Sequence, residues 1–183
     1  MKIRKQTLIA AAAGLSLLLA PAVVSAADQT GDQHGQLSRG DYKFLREAIE
    51  GGQAEVQLGQ LAKEKAVDPS VKSFGDRMVT DHSKANDELK SIASQKGATI
   101  PATLSHSERS SLDRLQKATG KDFDKDYVDA MVKDHKKDVK DFEDASKDLK
   151  DPDLKAFASK TLPTLQEHLR MAQDLQNTVK NEK

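Results

Sequence analysis

The chain has 183 residues, 29 basic and 29 acidic side chains, five histidines and no cysteine. Without cysteine there is no disulfide, no thiolate metal site and no cysteine nucleophile, so a folded domain must be held by its own core. The charges alternate in sign and aromatic residues make up only 4% of the chain, which weighs against nucleic acid as a partner.

Lys2, Arg4 and Lys5 precede an apolar run from Thr7 to Ala20, then Pro21 and the small residues Val24-Ser25-Ala26-Ala27. This is the form of a secretory signal peptide over residues 1–26, with cleavage expected after Ala26. The apolar run falls short of the ~20 residues that span a bilayer. No cysteine follows it to carry a lipid, no later segment is apolar enough to cross a membrane as a helix, and the strand alternation of an outer-membrane barrel is absent. The expected product is exported and periplasmic, free or associated with the envelope, with a net charge near −3 once Lys2, Arg4 and Lys5 are removed.

Residues 27–40 are polar and glycine-containing, and are expected to form a flexible leader. From 41 to 180 the chain is rich in helix-permissive residues, and turn signals divide it into four long helices and one short one. The first is expected from Asp41 to Ala66, with Phe44, Ala48, Gly51, Leu58 and Ala62 on its inner stripe. The second starts at Asp68-Pro69, an N-cap followed by proline at the first helical position, and ends near Gly97. Its stripe is Val71, Gly75, Met78, His82, Ala85, Leu89 and Ile92. A connection follows, with a short helix near Ser107–Ala118. The next long helix, Lys121 to Leu149, carries Val128, Met131, His135, Phe142, Ala145 and Leu149. The last repeats the cap at Asp151-Pro152 and carries Leu154, Ala158, Thr161, Leu165, His168, Ala172, Leu175 and Val179.

DPSVKSF at 68–74 matches DPDLKAF at 151–157, which pairs the second helix with the fourth long helix. Two helical hairpins joined by a long crossover give the expected fold: all-α, a ferritin-like four-helix bundle whose crossover contains a short helix.

Each long helix carries one polar residue on its inner stripe: Glu55, His82, His135 and His168. Buried and unpaired, such groups are costly, so each must be hydrogen-bonded, metal-bound or neutralised. At a rise of about 1.5 Å per residue, Glu55 and His82 lie ~17 and ~20 Å from the first interhelical turn, and His135 and His168 ~21 and ~24 Å from the last. All four therefore fall near mid-height of helices roughly 40 Å long. No Glu-x-x-His is present for a di-iron site. Three histidines and one carboxylate instead suit a single zinc, copper, nickel or iron ion. Asp138, one turn beyond His135, is a secondary candidate, as are Met78 and Met131, whose thioethers would favour Cu(I). Met171 follows His168 off the stripe.

Each residue also has a plain structural account. Tyr127 or Asp138 could hold His135, Glu55 could snorkel past Gly51 and Gly52, and methionine at helical spacing is ordinarily core filler. Asp81 and Asp134 point about 100° away from the neighbouring histidines and are expected to face solvent. Pro163 is expected to kink the last helix one turn before His168.

The segment from Phe44 to Leu89, with Glu55, Gly59-Gln60-Leu61-Ala62 and Met78-Val79-x-Asp81-His82, resembles a family of exported bacterial proteins, as do Tyr127–His135 and His168. That family is catalogued as a domain of unknown function, its members labelled membrane or outer-membrane proteins, and is placed in the ferritin-like superfamily. The resemblance covers about Asp41 to Gln176 and implies an envelope-associated four-helix fold without an assigned reaction.

No phosphate loop or nucleophile elbow is present, so hydrolase and transferase chemistry have no sequence support. Three functions stay open: a metal-binding periplasmic bundle for storage, buffering or stress protection; a non-enzymatic envelope interaction or stress-response module with a structural polar core, whose partners are envelope proteins; and an oxidase or redox enzyme with bound metal.

Overall fold

The computed structural model describes residues 33–100 and 103–181; the expected signal peptide and leader residues 27–32 lie outside them. The described chain is all-α, with no strand among the described residues. Its helices are α1 (Arg39–Lys65), α2 (Pro69–Gln95), α3 (His106–Lys117), α4 (Gly120–Asp148) and α5 (Pro152–Asn181).

Local chemistry sets the helix ends. Asp68 accepts from Ser70 N at 2.6 Å ahead of Pro69, and Asp151 accepts from Leu154 N at 3.0 Å, so both halves of the sequence repeat begin helices in the same way. α2 stops at Gly97, whose φ of 65° is open to glycine at little cost. There Gly97 N donates to Ser94 O (3.1 Å) and Ala98 N to Ala93 O (2.9 Å), closing a Schellman motif. Ser105 and Glu108 form a reciprocal capping box on α3. α5 continues through Pro163.

α1 packs along α2, and α4 along α5; α3 lies against α1 and α4. Gly59 and Gly75 mark the closest α1–α2 approach, since a Cβ on Gly59 would stand 2.6 Å from Gly75 O. The two hairpins are tied by exchanged caps. Asp124, in the first turns of α4, accepts from Val67 N (3.1 Å) and Asp68 N (2.8 Å) in the α1–α2 turn. Asp41, in the first turn of α1, accepts from Lys150 N (2.9 Å) in the α4–α5 turn. The two tight turns therefore sit at opposite ends of the described helical unit.

The apolar core is in two parts. One, near the α1–α2 turn, holds Leu58, Phe74, Met78, Phe123, Tyr127 and Met131. The other, near the α4–α5 turn, holds Leu45, Ile49, Leu89, Phe142, Phe157 and Leu165. On every long helix the polar stripe residue falls between members of these two clusters, so one polar layer separates two apolar ones.

Two expectations change. The buried stripe of α1 runs Leu45, Ile49, Gly52, Glu55, Leu58 and Ala62 rather than through Phe44, Ala48 and Gly51. Phe44 is only half-buried and meets Phe142 edge-on at 5.2 Å, flanking the seam. The end of the expected flexible leader is packed: Leu37 is buried, Gln36 N donates to Lys96 O (2.9 Å), and Thr99 N to Gln33 O (2.9 Å).

Candidate metal centre

Glu55, His82, His135 and His168 come together from α1, α2, α4 and α5. All are buried, His135 and His168 to 0% exposure. The ring centroids of the three histidines lie 5.3–5.7 Å apart. One ring nitrogen from each falls within 4.8 Å of the others, a group that could hold a metal ion. The Glu55 carboxylate faces two of them, with Oε2 2.5 Å from His82 Nε2 and Oε1 3.3 Å from His135 Nδ1.

The outer contacts settle two tautomers. His135 Nδ1 lies 3.0 Å from Met131 O, and a carbonyl can only accept, so Nδ1 carries the proton and Nε2 presents its lone pair. His168 Nε2 donates to Asp81 Oδ2 at 2.9 Å, which leaves Nδ1 bare. Among the described residues the buried His135 Nε2, His168 Nδ1 and Tyr127 Oη have no hydrogen bond, while the Glu55 oxygens and His82 Nε2 meet only one another and His135 Nδ1. His135 and His168, each held at one nitrogen and bare at the other, have the arrangement that metal ligation through an oriented imidazole requires.

The electrostatics agree. Burial would raise the Glu55 carboxyl, but the neighbouring His135, His82 and His168 outweigh it and hold it well below the ordinary range. Burial would lower His82, but the Glu55 charge raises it above its ordinary value. Burial dominates at the other two, pushing His135 down and His168 down to about 4. The centre thus keeps an anion at Glu55 and neutral imidazoles at His135 and His168, while His82 is favoured in its charged form beside Glu55.

Asp81 is the residue that the sequence reading missed. It was expected to face solvent, but α5 lies on that side of α2, and its Oδ2 takes both His168 Nε2 and Arg77 Nε (2.8 Å). A carboxylate beside a stripe histidine was the available signal. Glu55 does not snorkel; it is 4% exposed. His135 is held by the Met131 carbonyl, not by Tyr127, whose hydroxyl has no partner, nor by Asp138. Met78 and Met131 are buried in the first apolar cluster, while Met171 packs at its edge. Asp138 is half-buried and lines a 40 Å³ cavity with Glu55 and His82. Burial, then the Glu55 charge, raises the Asp138 carboxyl, and the same causes raise Asp134 to about 6.

No helix among the described residues is long and apolar enough to cross a membrane. The fold is similar to a crystal structure of a DUF305 fragment from Deinococcus radiodurans, at TM-score 0.70 and 11% identity over 78% of this chain and 98% of that one. It is also similar to CopM in its Cu(II)-bound form, at TM-score 0.65 and 17% identity over 75% and 96%. The Ag-bound form of CopM obtained by co-crystallization matches at TM-score 0.61 and 19% identity over 75% and 96%. No curated protein matches the sequence. Residues 26–175 match the model of one family, and the chain belongs to it: Domain of unknown function (DUF4142).

Proposed function

We propose that this protein is an exported four-helix bundle of ferritin-like connectivity that binds one transition-metal ion through Glu55, His82, His135 and His168. Its role on this reading is metal storage, buffering or stress protection in the periplasm. The observation that carries the proposal is the meeting of three buried histidines, one ring nitrogen of each within 4.8 Å of the others, beside the buried Glu55 carboxylate. Leaving the bare nitrogens of His135 and His168 unsatisfied is costly, and one cation would satisfy them while meeting the Glu55 charge.

The donor set fits. Metal–imidazole distances of about 2.0–2.1 Å bring tetrahedral ligand nitrogens to within ~3.3 Å of each other, which small ring movements achieve from the observed spacing. Zinc, copper, nickel and iron all accept imidazole and carboxylate. Copper is the first ion to try, because CopM, of similar fold, is described with Cu(II) and with Ag. When bound, the ion would supply Lewis acidity or, for copper or iron, an electron. The chain's own residues hold it: Met131 O orients His135, Asp81 orients His168, and the Glu55 anion replaces hydration charge. Full burial of His135 and His168 suits holding an ion more than turning over a substrate.

The test is elemental mass spectrometry on the untagged protein beside His82→Ala. Near-stoichiometric metal, lost in the variant, is the expected result. A protein that neither carries metal nor takes it up on titration with zinc, copper, nickel and iron would sink the proposal.

A second reading is a non-enzymatic envelope interaction or stress-response module in which the polar layer only fixes helix register. Its support is that His135 and His168 each already have one protein partner. It requires melting temperatures that do not move with any of the four metals, whereas a ligand bound only to the folded state raises them.

A further inference from the structure

The buried centre needs a way in. Glu55 lines the 40 Å³ cavity it shares with His82 and Asp138. It also lines a groove of about 640 Å³ between α1, α4 and the start of α3. It is therefore the side chain where the outside groove meets the polar layer, and it arrives there 4% exposed, its carboxylate against His82 Nε2 and His135 Nδ1.

The groove walls are graded. Near the rim, cations are neutralised: Arg46 pairs with Glu50 (3.3 Å) and Lys137 with Asp141 (2.6 Å). Lys133 stands exposed on the same wall. Deeper, Asp134 and Asp138 are half-buried on one face of α4, and among the described residues neither has a hydrogen bond or an ion pair. On the other side of the centre, Arg77 lies against Asp81 at 2.8 Å, setting a positive charge beside His168.

We propose that this groove is the route by which a hydrated divalent cation reaches the centre, with Asp134 and Asp138 as transient oxygen ligands that hand it to Glu55. The inference rests on the metal-binding reading above. Hard carboxylate oxygens suit a hydrated ion that is shedding water, and the imidazoles behind them suit the ion that has shed it. The groove carries more carboxylates than cations, and such an excess of negative charge raises the local cation concentration and the association rate.

The experiment is stopped-flow mixing of the metal-free, untagged full chain with Cu(II) alone, followed by tyrosine emission. The chain has two tyrosines and no tryptophan, and Tyr127 packs on Phe74, which in turn packs on His135 and His168. Asp134→Asn/Asp138→Asn is expected to slow association about tenfold at low ionic strength, the gap narrowing with salt, while elemental analysis still finds the wild-type metal content. Ser111→Lys, which puts a cation into the groove without touching α4, is expected to act in the same direction and decides the matter if the double variant does not fold. Asp174→Asn, on exposed α5 surface, should associate at the wild-type rate. Wild-type rates in both groove variants overturn the route but leave the metal site standing. Loss of metal content in the double variant also overturns it, since the aspartates would then be resident ligands. A wild-type chain that takes up no Cu(II) overturns both readings.

Discussion

Asp81 on α2 accepts a hydrogen bond from His168 on α5, Oδ2 to Nε2, at 2.9 Å, and through it Arg77 is joined to the polar layer. A carboxylate that fixes an imidazole's tautomer and orientation sets which ring nitrogen faces inward. Here it leaves His168 Nδ1 buried and free.

Asp81→Asn should therefore weaken metal binding by about 10- to 100-fold, the usual effect of losing a ligand's outer partner. The metal-free protein should melt close to wild type, because Asn can still accept from Nε2 and Asp81 is partly solvent-exposed. Competition titration against a chelator of known affinity checks the first statement and thermal denaturation the second. Unchanged affinity would remove Asp81 from any role in the centre.

The metal-free protein should lose stability as the pH falls from 6.5 to 4. His168 is held down at about 4 by burial, so in this window the unfolded chain binds a proton that the folded chain refuses. Stability then rises with pH across the window, by ~3 kcal/mol for this group at 1.36 kcal/mol per pH unit. His135, also lowered, adds in the same direction. His82, raised by Glu55, acts oppositely: its contribution is full below its unfolded value and fades as pH rises through its folded one. Melting curves between pH 7 and 4.5 should show the fall, and His168→Gln should flatten it.

Gly75→Ala should destabilise despite alanine's better helix propensity. The added Cβ would stand 2.8 Å from both Ala62 Cβ and Gly59 O, so α1 and α2 would have to separate. Overpacking costs about 1–3 kcal/mol and the propensity gain returns just under 1. Chemical denaturation should place the variant below wild type; an equal or higher midpoint would mean that the helices part freely.

Asp124→Ala should cost about 1–3 kcal/mol, because it strips the acceptor from Val67 N and Asp68 N at a turn with no other partner for them in sight. Asp41→Ala should cost less, since it serves one turn amide, Lys150 N, although it also accepts from Ser38 Oγ. Urea unfolding of both variants gives the order; equal losses would contradict the exchanged-cap account.

Much of the fold was written locally. Asp-Pro starts, the Gly97 stop and three-four apolar spacing act within a few residues of chain, so five helices were legible with ends off by one or two positions. The same spacing placed Glu55, His82, His135 and His168 on inner faces, and counting residues from the turns put them at one level. Where periodicity slipped, on the first turns of α1, a flanking contact between Phe44 and Phe142 had taken the place of a seam contact.

What lay beyond the sequence was every relation between helices. Asp81 is one residue from His82 and so rotated by about 100°, and only the position of α5 turns that direction from solvent into a contact with His168. The opposite ends of the two turns, the crossed caps of Asp41 and Asp124, and the meeting of a groove with Glu55 likewise depend on how hairpins pack. A helix's own hydrogen bonds and apolar face are fixed by residues three and four apart. Which neighbour that face meets, and at what height, is decided by the packing of side chains far apart in the chain.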